Sequence, residues 1–178
     1  MMSRIFTFGC SHTYGHGLRD CVVKDGEHYH PGEHPSKLGW ASMIGDHYNR
    51  ELINLGACGG SNKQIVHTVN LTKFDEGDIA LVQWTYPERY CIFRKGAHKS
   101  YDNSLIHQMG SWMHEKKSRY YYRAVQSSID DDIVLGWHTN YVDLLLKKLK
   151  CKVIHFRAFA GKDQTQFLDK DVVYANWN

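Results

Sequence analysis

Three prolines in 178 residues are too few for a long disordered linker. No C-x-x-C pair occurs, and the five cysteines, at positions 10, 21, 58, 91 and 151, are widely spaced and odd in number. That pattern argues against a disulfide framework and for free thiols in a reducing compartment. No apolar run approaches the roughly 18 residues that a membrane span needs. The opening Met-Met-Ser-Arg passes straight into an apolar strand, without the apolar stretch of a secretory signal. The expected location is therefore the cytoplasm, with no membrane partner. A net charge of +3 is too small to imply nucleic acid as a partner. No internal repeat, low-complexity segment or domain boundary is visible, so residues 1–178 are expected to form a single domain.

What is present is ordinary for a globular protein, with 42% apolar and 23% charged residues. Twelve histidines allow the charge to rise at mildly acid pH. Residues 4–8 (Arg-Ile-Phe-Thr-Phe) read as a first strand, ending in a turn through Gly9, Cys10 and Ser11. Residues 19–36 read as a long polar loop with two prolines, two glycines and no periodicity. Its histidines 28, 30 and 34 have neither a helical ligand spacing nor a completing acid, so no metal site is expected. A helix is expected from residues 35–37 onward, because Leu38, Trp40, Ala41, Ile44 and Tyr48 recur at three- and four-residue steps.

Residues 52–55 then give a short buried strand, followed by the glycine bend G-A-C-G-G-S-N at 56–62. Ser61 is the expected N-cap of a helix over 63–71. The continuous apolar run 79–82 reads as a strand buried on both faces, leading into Gln83-Trp84-Thr85-Tyr86-Pro87. Residues 89–94 allow an extra strand, and residues 104–117 allow a helix with Leu105, Met109, Trp112 and Met113 on one side. The tyrosines at 120–122 beside Arg119 and Arg123 suit packing better than base stacking. A long helix over 130–150 begins on aspartates and ends on lysines, matching the macrodipole, with Val142, Leu145, Leu146 and Leu149 as its apolar stripe. Residues 151–156 make a fourth strand, and 172–174 allow a short fifth. Strands alternating with helices imply a parallel sheet with helices on both faces.

Such a sheet delivers three bends to its carboxyl edge, where open α/β folds bind ligands. The first bend offers the Ser11 hydroxyl on a tight turn, the setting of a nucleophile. The second offers glycine amides at the head of a helix, whose positive end favours developing negative charge. A hydroxyl beside such amides is the core of acyl-transfer chemistry.

On these residues the sequence resembles a family. G-C-S-H-T-Y-G, from Gly9, resembles the first block of the SGNH/GDSL hydrolases, usually G-D-S-x-T-x-G. N-L-G-A-C-G-G-S-N, from Asn54, resembles their second block, N-x-G-x-x-G. The likeness extends over about the first 90 residues. It leans toward the phage-type proteins of that family, which carry G-C-S-x-T-Y-G and G-x-S-N-K.

The resemblance implies a flavodoxin-like three-layer α/β/α sandwich around a central parallel sheet. It implies hydrolysis of a small-molecule or carbohydrate ester, such as an O-acetyl group, without a cofactor. Ser11 would be the nucleophile, and the amides of Ser11 and Gly59 would hold the oxyanion. For a phage protein the cytoplasm would be that of the host. Two blocks depart from the pattern. Gln83-Trp84-Thr85-Tyr86-Pro87 stands where the family has G-x-N-D, so Gln83, Thr85 or Tyr86 would have to supply that donor. The C-terminal D-x-x-H, source of the base, has no counterpart, because no histidine follows His155. His12 and His155 are the remaining candidates for the base in this chain, and a partner subunit in an oligomer is a further source. A relative without its base would bind a small ligand or glycan in the same place rather than cut it.

Overall fold

The computed structural model describes residues 3–25, 28–86, 88–97, 103–110, 119–120, 122–124 and 131–157. Its centre is a parallel sheet of β1 (Ile5–Phe8), β4 (Leu52–Asn54), β5 (Ile79–Trp84) and β8 (Lys152–Arg157), in the order β4-β1-β5-β8. Phe6 sits opposite Ile53 on one side and Ala80 on the other, and Ala80 sits opposite Val153. These are the four apolar runs of the sequence. The central strands β1 and β5 are buried on both sides, as a parallel sheet demands. The edge strands β4 and β8 are partly exposed, so the strand at 52–54 is less buried than expected.

Alternation along the strands sorts the sheet into two faces. Phe6, Phe8, Ala80, Val82 and Trp84 pack with Ile65 and Val69 of α3 (Asn62–Leu71) and with Leu135, Val142 and Leu146 of α4 (Asp131–Lys148). Phe74 closes this core edge-on to Phe6, with ring centroids 4.9 Å apart. On the opposite face, Trp40 of α2 (Trp40–Tyr48) meets Phe156 edge-on at 5.1 Å. The fold is therefore α/β, with helices against both faces of the sheet. Among the described residues no helix is long and apolar enough to cross a membrane.

Several boundaries differ from the sequence expectation. The stretch 19–36 is not an irregular loop throughout. It holds the antiparallel pair β2 (Val22–Asp25) and β3 (His28–Pro31), with Asp25 opposite His28. Helix α2 starts at Trp40 with Gly39 as its N-cap, rather than at 35–37. Ser36 is engaged elsewhere, since its hydroxyl donates to Asp20 Oδ1 at 2.5 Å and accepts from Leu38 N at 3.0 Å. The helix expected over 104–117 is replaced, as far as residue 109, by a 3₁₀ turn (Asn103–Leu105) and strand β7 (Ile106–Met109). β7 pairs antiparallel with β6 (Tyr90–Phe93), Phe93 facing Ile106 and Tyr90 facing Met109. That long-range partner overrides the helical period. Tyr120 is exposed and Tyr122 buried. The strand expected at 172–174 lies outside the described residues.

The amino ends of β1 and β5 are clamped by an ion pair between the partly exposed Arg4 and the buried Asp78. The Asp78 carboxylate accepts from the Arg4 guanidinium at 2.7 Å, from Arg4 N at 2.9 Å and from Asp75 N at 2.8 Å. Burial alone would push the Asp78 carboxyl up. Its hydrogen bonds from Arg4 and Asp75, together with the Arg4 charge, hold it below the usual carboxylate range. Asp78→Asn removes the buried one of Arg4's two carboxylate partners, leaving the exposed Asp75 at 2.8 Å, and should cost roughly 1–3 kcal/mol, as lost hydrogen bonds to a charged group do. The urea midpoint measures this; a midpoint within error of wild type would show the clamp to be idle.

Candidate active site

Along the chain, the connection from β1 runs outward to β4, and the next returns past β1 to β5. The crevice outside the carboxyl ends of β1 and β5 is thus the topological switch point, the usual ligand position in open α/β sheets. The bends after β1, β4 and β5 all lie at this rim, and they are stitched together.

Gly9 O accepts from Ala57 N at 3.0 Å, joining the first bend to the second. Asn54 ends β4, and its Nδ2 donates to Thr13 O at 2.7 Å while its Oδ1 accepts from Gly56 N at 3.0 Å. Thr13 Oγ1 donates to Gln83 Oε1 at 2.6 Å, joining the first bend to the third. The buried Asn62 side chain pairs with Thr85 like a strand neighbour, taking Thr85 N at 2.8 Å and giving to Thr85 O at 3.2 Å. The contact between the first two bends is tight enough to require glycine. A Cβ on Gly56 would stand 2.7 Å from Tyr14 N. Gly59 holds φ at +73°, in a turn closed by Gly60 N on Ala57 O at 2.9 Å.

Ser11 opens the one-turn helix α1 (Ser11–Tyr14) and is half-buried. Cys10 precedes it in extended conformation and makes no side-chain cap, so the first-turn amides stay unspent. Among the described residues, neither the Ser11 hydroxyl nor the Ser11 N–H has a hydrogen-bond partner, and the Gly59 N–H has none either. The neighbouring amides of Gly56, Ala57 and Gly60 are all taken. Ser61 caps α3 through Gln64 N at 3.3 Å, as the sequence indicates.

The two candidate bases stand differently. His12 is exposed, and α1 turns its side chain about 100° away from that of Ser11, since adjacent helical residues do not face each other. Partial desolvation and the nearby Arg89 charge lower its pKa, which keeps it neutral at neutral pH. His155 is buried, and both its ring nitrogens are engaged. Trp84 Nε1–H donates to Nδ1 at 3.2 Å, and Nε2 meets Asp143 Oδ1 at 2.9 Å. Indole is only a donor, so Nδ1 carries the lone pair and Nε2 carries the proton given to Asp143. The ring stacks on Trp84, with centroids 5.7 Å apart. Burial lowers the His155 pKa and outweighs the opposing pull of Asp143. Among the described residues no histidine nitrogen is hydrogen-bonded to the Ser11 hydroxyl. His98 and His114 lie outside the described residues.

The remaining groups are less reactive. Cys10 is fully buried, and desolvation first, then neighbouring Cys21 and Cys10, push the Cys58 thiol up to about 12. Gln83 is held by Thr13, and the buried Thr85 hydroxyl has no partner among the described residues. No cluster of potential metal ligands forms among the described residues, where His30 and His34 are exposed. Sequence reasoning missed Asn54 and Asn62 as stitches. Their only signal was that each sits beside a glycine bend. It also missed the His155–Asp143 pair, which joins a strand to a helix.

Comparison with protein-family models, characterised proteins and solved structures finds no match to this chain.

His155 has a lower pKa folded than unfolded, so the unfolded chain takes up the proton first. Stability is then fully present above about pH 6.5 and falls as the solution is acidified below it, by at most about 1.4 kcal/mol per pH unit for each such histidine. His12 and His138 shift in the same direction, His138 through burial and then the Lys63 charge. Urea midpoints should drop between pH 7.5 and 5.5, and His155→Gln, which keeps a donor and an acceptor, should flatten that drop. An unchanged slope in the variant would assign the titration elsewhere.

Proposed function

We propose that this chain is a serine hydrolase acting on an ester, with Ser11 as nucleophile and the amides of Ser11 and Gly59 as the oxyanion hole. One observation carries the reading. At a rim where the amides of Gly56, Ala57 and Gly60 are spent on the scaffold, the Ser11 and Gly59 amides and the Ser11 hydroxyl have no partner among the described residues. Unspent donors aimed at developing charge are what acyl transfer requires, each worth roughly 3–4 kcal/mol in the transition state. The strand order fits the flavodoxin-like pattern, in which the second strand lies outside the first and the third inside. It thereby supports the SGNH/GDSL-like sandwich that the two glycine blocks resemble.

In this reading Ser11 Oγ adds to the ester carbonyl and gives its proton to a base. The carbonyl oxygen takes the negative charge against the two amides. Collapse expels the alcohol, which regains a proton, and water then releases the acid from the acyl-serine. An O-acetyl group on a carbohydrate is the substrate class that the resemblance indicates, in the cytoplasm of a phage host. Among the described residues no histidine is bonded to the Ser11 hydroxyl, and both ring nitrogens of His155 are engaged by Trp84 and Asp143. That observation favours one second reading. The same rim would hold a small ligand or glycan without turning it over.

A fluorophosphonate probe separates the two readings. In the hydrolase, labelling should occur at Ser11 and vanish in Ser11→Ala, and p-nitrophenyl acetate hydrolysis should fall at least about tenfold, the low end of what a catalytic group contributes. Wild type and Ser11→Ala that are equally inert would reject catalysis and leave the binding reading.

A further inference from the structure

Helix α4 is apolar on two opposite sides. At about 100° per residue, Leu135, Thr139, Val142 and Leu146 make one face, and all four are buried against the sheet and α3. Ile133, Trp137, Tyr141 and Leu144 fall within about 80° of one another on the other side. They are 45%, 69%, 45% and 71% exposed. Single exposed apolar residues are ordinary on a protein surface, but four at i, i+4, i+8 and i+11 form one stripe. A helix that is apolar all round is one whose surface becomes buried.

We propose that this stripe is a dimer interface, covered by the same stripe of a second copy of this chain with the two α4 helices antiparallel. The spacing is self-complementary. Trp137 and Tyr141 lie two residues either side of position 139, and Ile133 and Leu144 lie six and five from it. A two-fold axis near position 139 sets Trp137 of each copy on Tyr141 of the other, and Ile133 on Leu144. This is the condition for a closed, isologous pair.

Charge selects the same direction. The helix begins on Asp131-Asp132 and ends on Lys147-Lys148. Antiparallel copies put each acidic start beside the other's basic end, whereas parallel copies set like charges together. The stripe covers about 17 Å of helix. It suits the apolar centre of an interface of roughly 800 Å² per partner. Tyr141 is already positioned, its hydroxyl donating to Asn70 Oδ1 at 2.8 Å.

Sedimentation velocity of the full chain, from about 2 to about 200 µM, tests this over the range where a micromolar dimer forms and dissociates. A dimer should form, and Trp137→Glu and Leu144→Glu should each weaken it at least tenfold without lowering the thermal midpoint, since both side chains are exposed. Oxidation of a mixture of Ile133→Cys and Leu144→Cys chains should cross-link one variant to the other. A wild type that stays monomeric at the top concentration, a dimer untouched by both charge variants, or cross-links confined to chains of the same variant would overturn the proposal.

Discussion

A backbone amide buried without a partner is costly, so every N–H at the carboxyl rim of this sheet is either spent on the scaffold or left to meet something else. That constraint organises the molecule. The strands bring three bends to one rim, and most of the polar groups there bind each other. Gly9 O takes Ala57 N, Asn54 bridges Thr13 and Gly56, and Asn62 pairs with both main-chain groups of Thr85. What is not spent is small and local. Among the described residues it includes the Ser11 hydroxyl, its own amide and the amide of Gly59.

The rest of the fold keeps that rim rigid. The central strands β1 and β5, buried on both faces, leave little freedom to their ends, and the Arg4–Asp78 pair locks β1 against β5 at the far edge. The first bend is braced from outside as well. Tyr14 OH donates to Gly32 O, and Ser36 N donates to Tyr14 O at 2.9 Å, so the β2–β3 arm holds the outer side of α1. On the core side, His155 is held as a neutral ring between Trp84 and Asp143. It is a packing element whose polarity is fully answered, which explains why a histidine near the end of the fourth parallel strand need not serve catalysis.

Much of this was legible in the residues. The four parallel strands follow from apolar runs, α3 from the Ser61 cap, α4 from its charged ends, and the two bends from glycines. These are local signals, set by neighbours a few positions apart. The pairing of β6 with β7 was not legible as such. Leu105 and Met109 carry a helical spacing, and only a partner more than ten residues away turns that segment into a strand. The stitches at Asn54 and Asn62 were hidden for the same reason. An asparagine beside a glycine bend reads as a turn residue until the strand it serves, 23 positions on for Asn62, is in place. The stripe at 142–149 marked one side of α4 in the sequence, but the exposed apolar side could be read only once the buried side, from Leu135 to Leu146, was known.

The central proposal is that Ser11 Oγ attacks a carbonyl carbon whose oxygen is held by the amides of Ser11 and Gly59. A crystal structure of the chain after reaction with a p-nitrophenyl phosphonate tests it most directly. The account requires phosphorus bonded to Ser11 Oγ, and the phosphoryl oxygen within about 2.7–3.1 Å of both Ser11 N and Gly59 N. An adduct on another side chain, or a phosphoryl oxygen turned to solvent with both amides still unpaired, would contradict it.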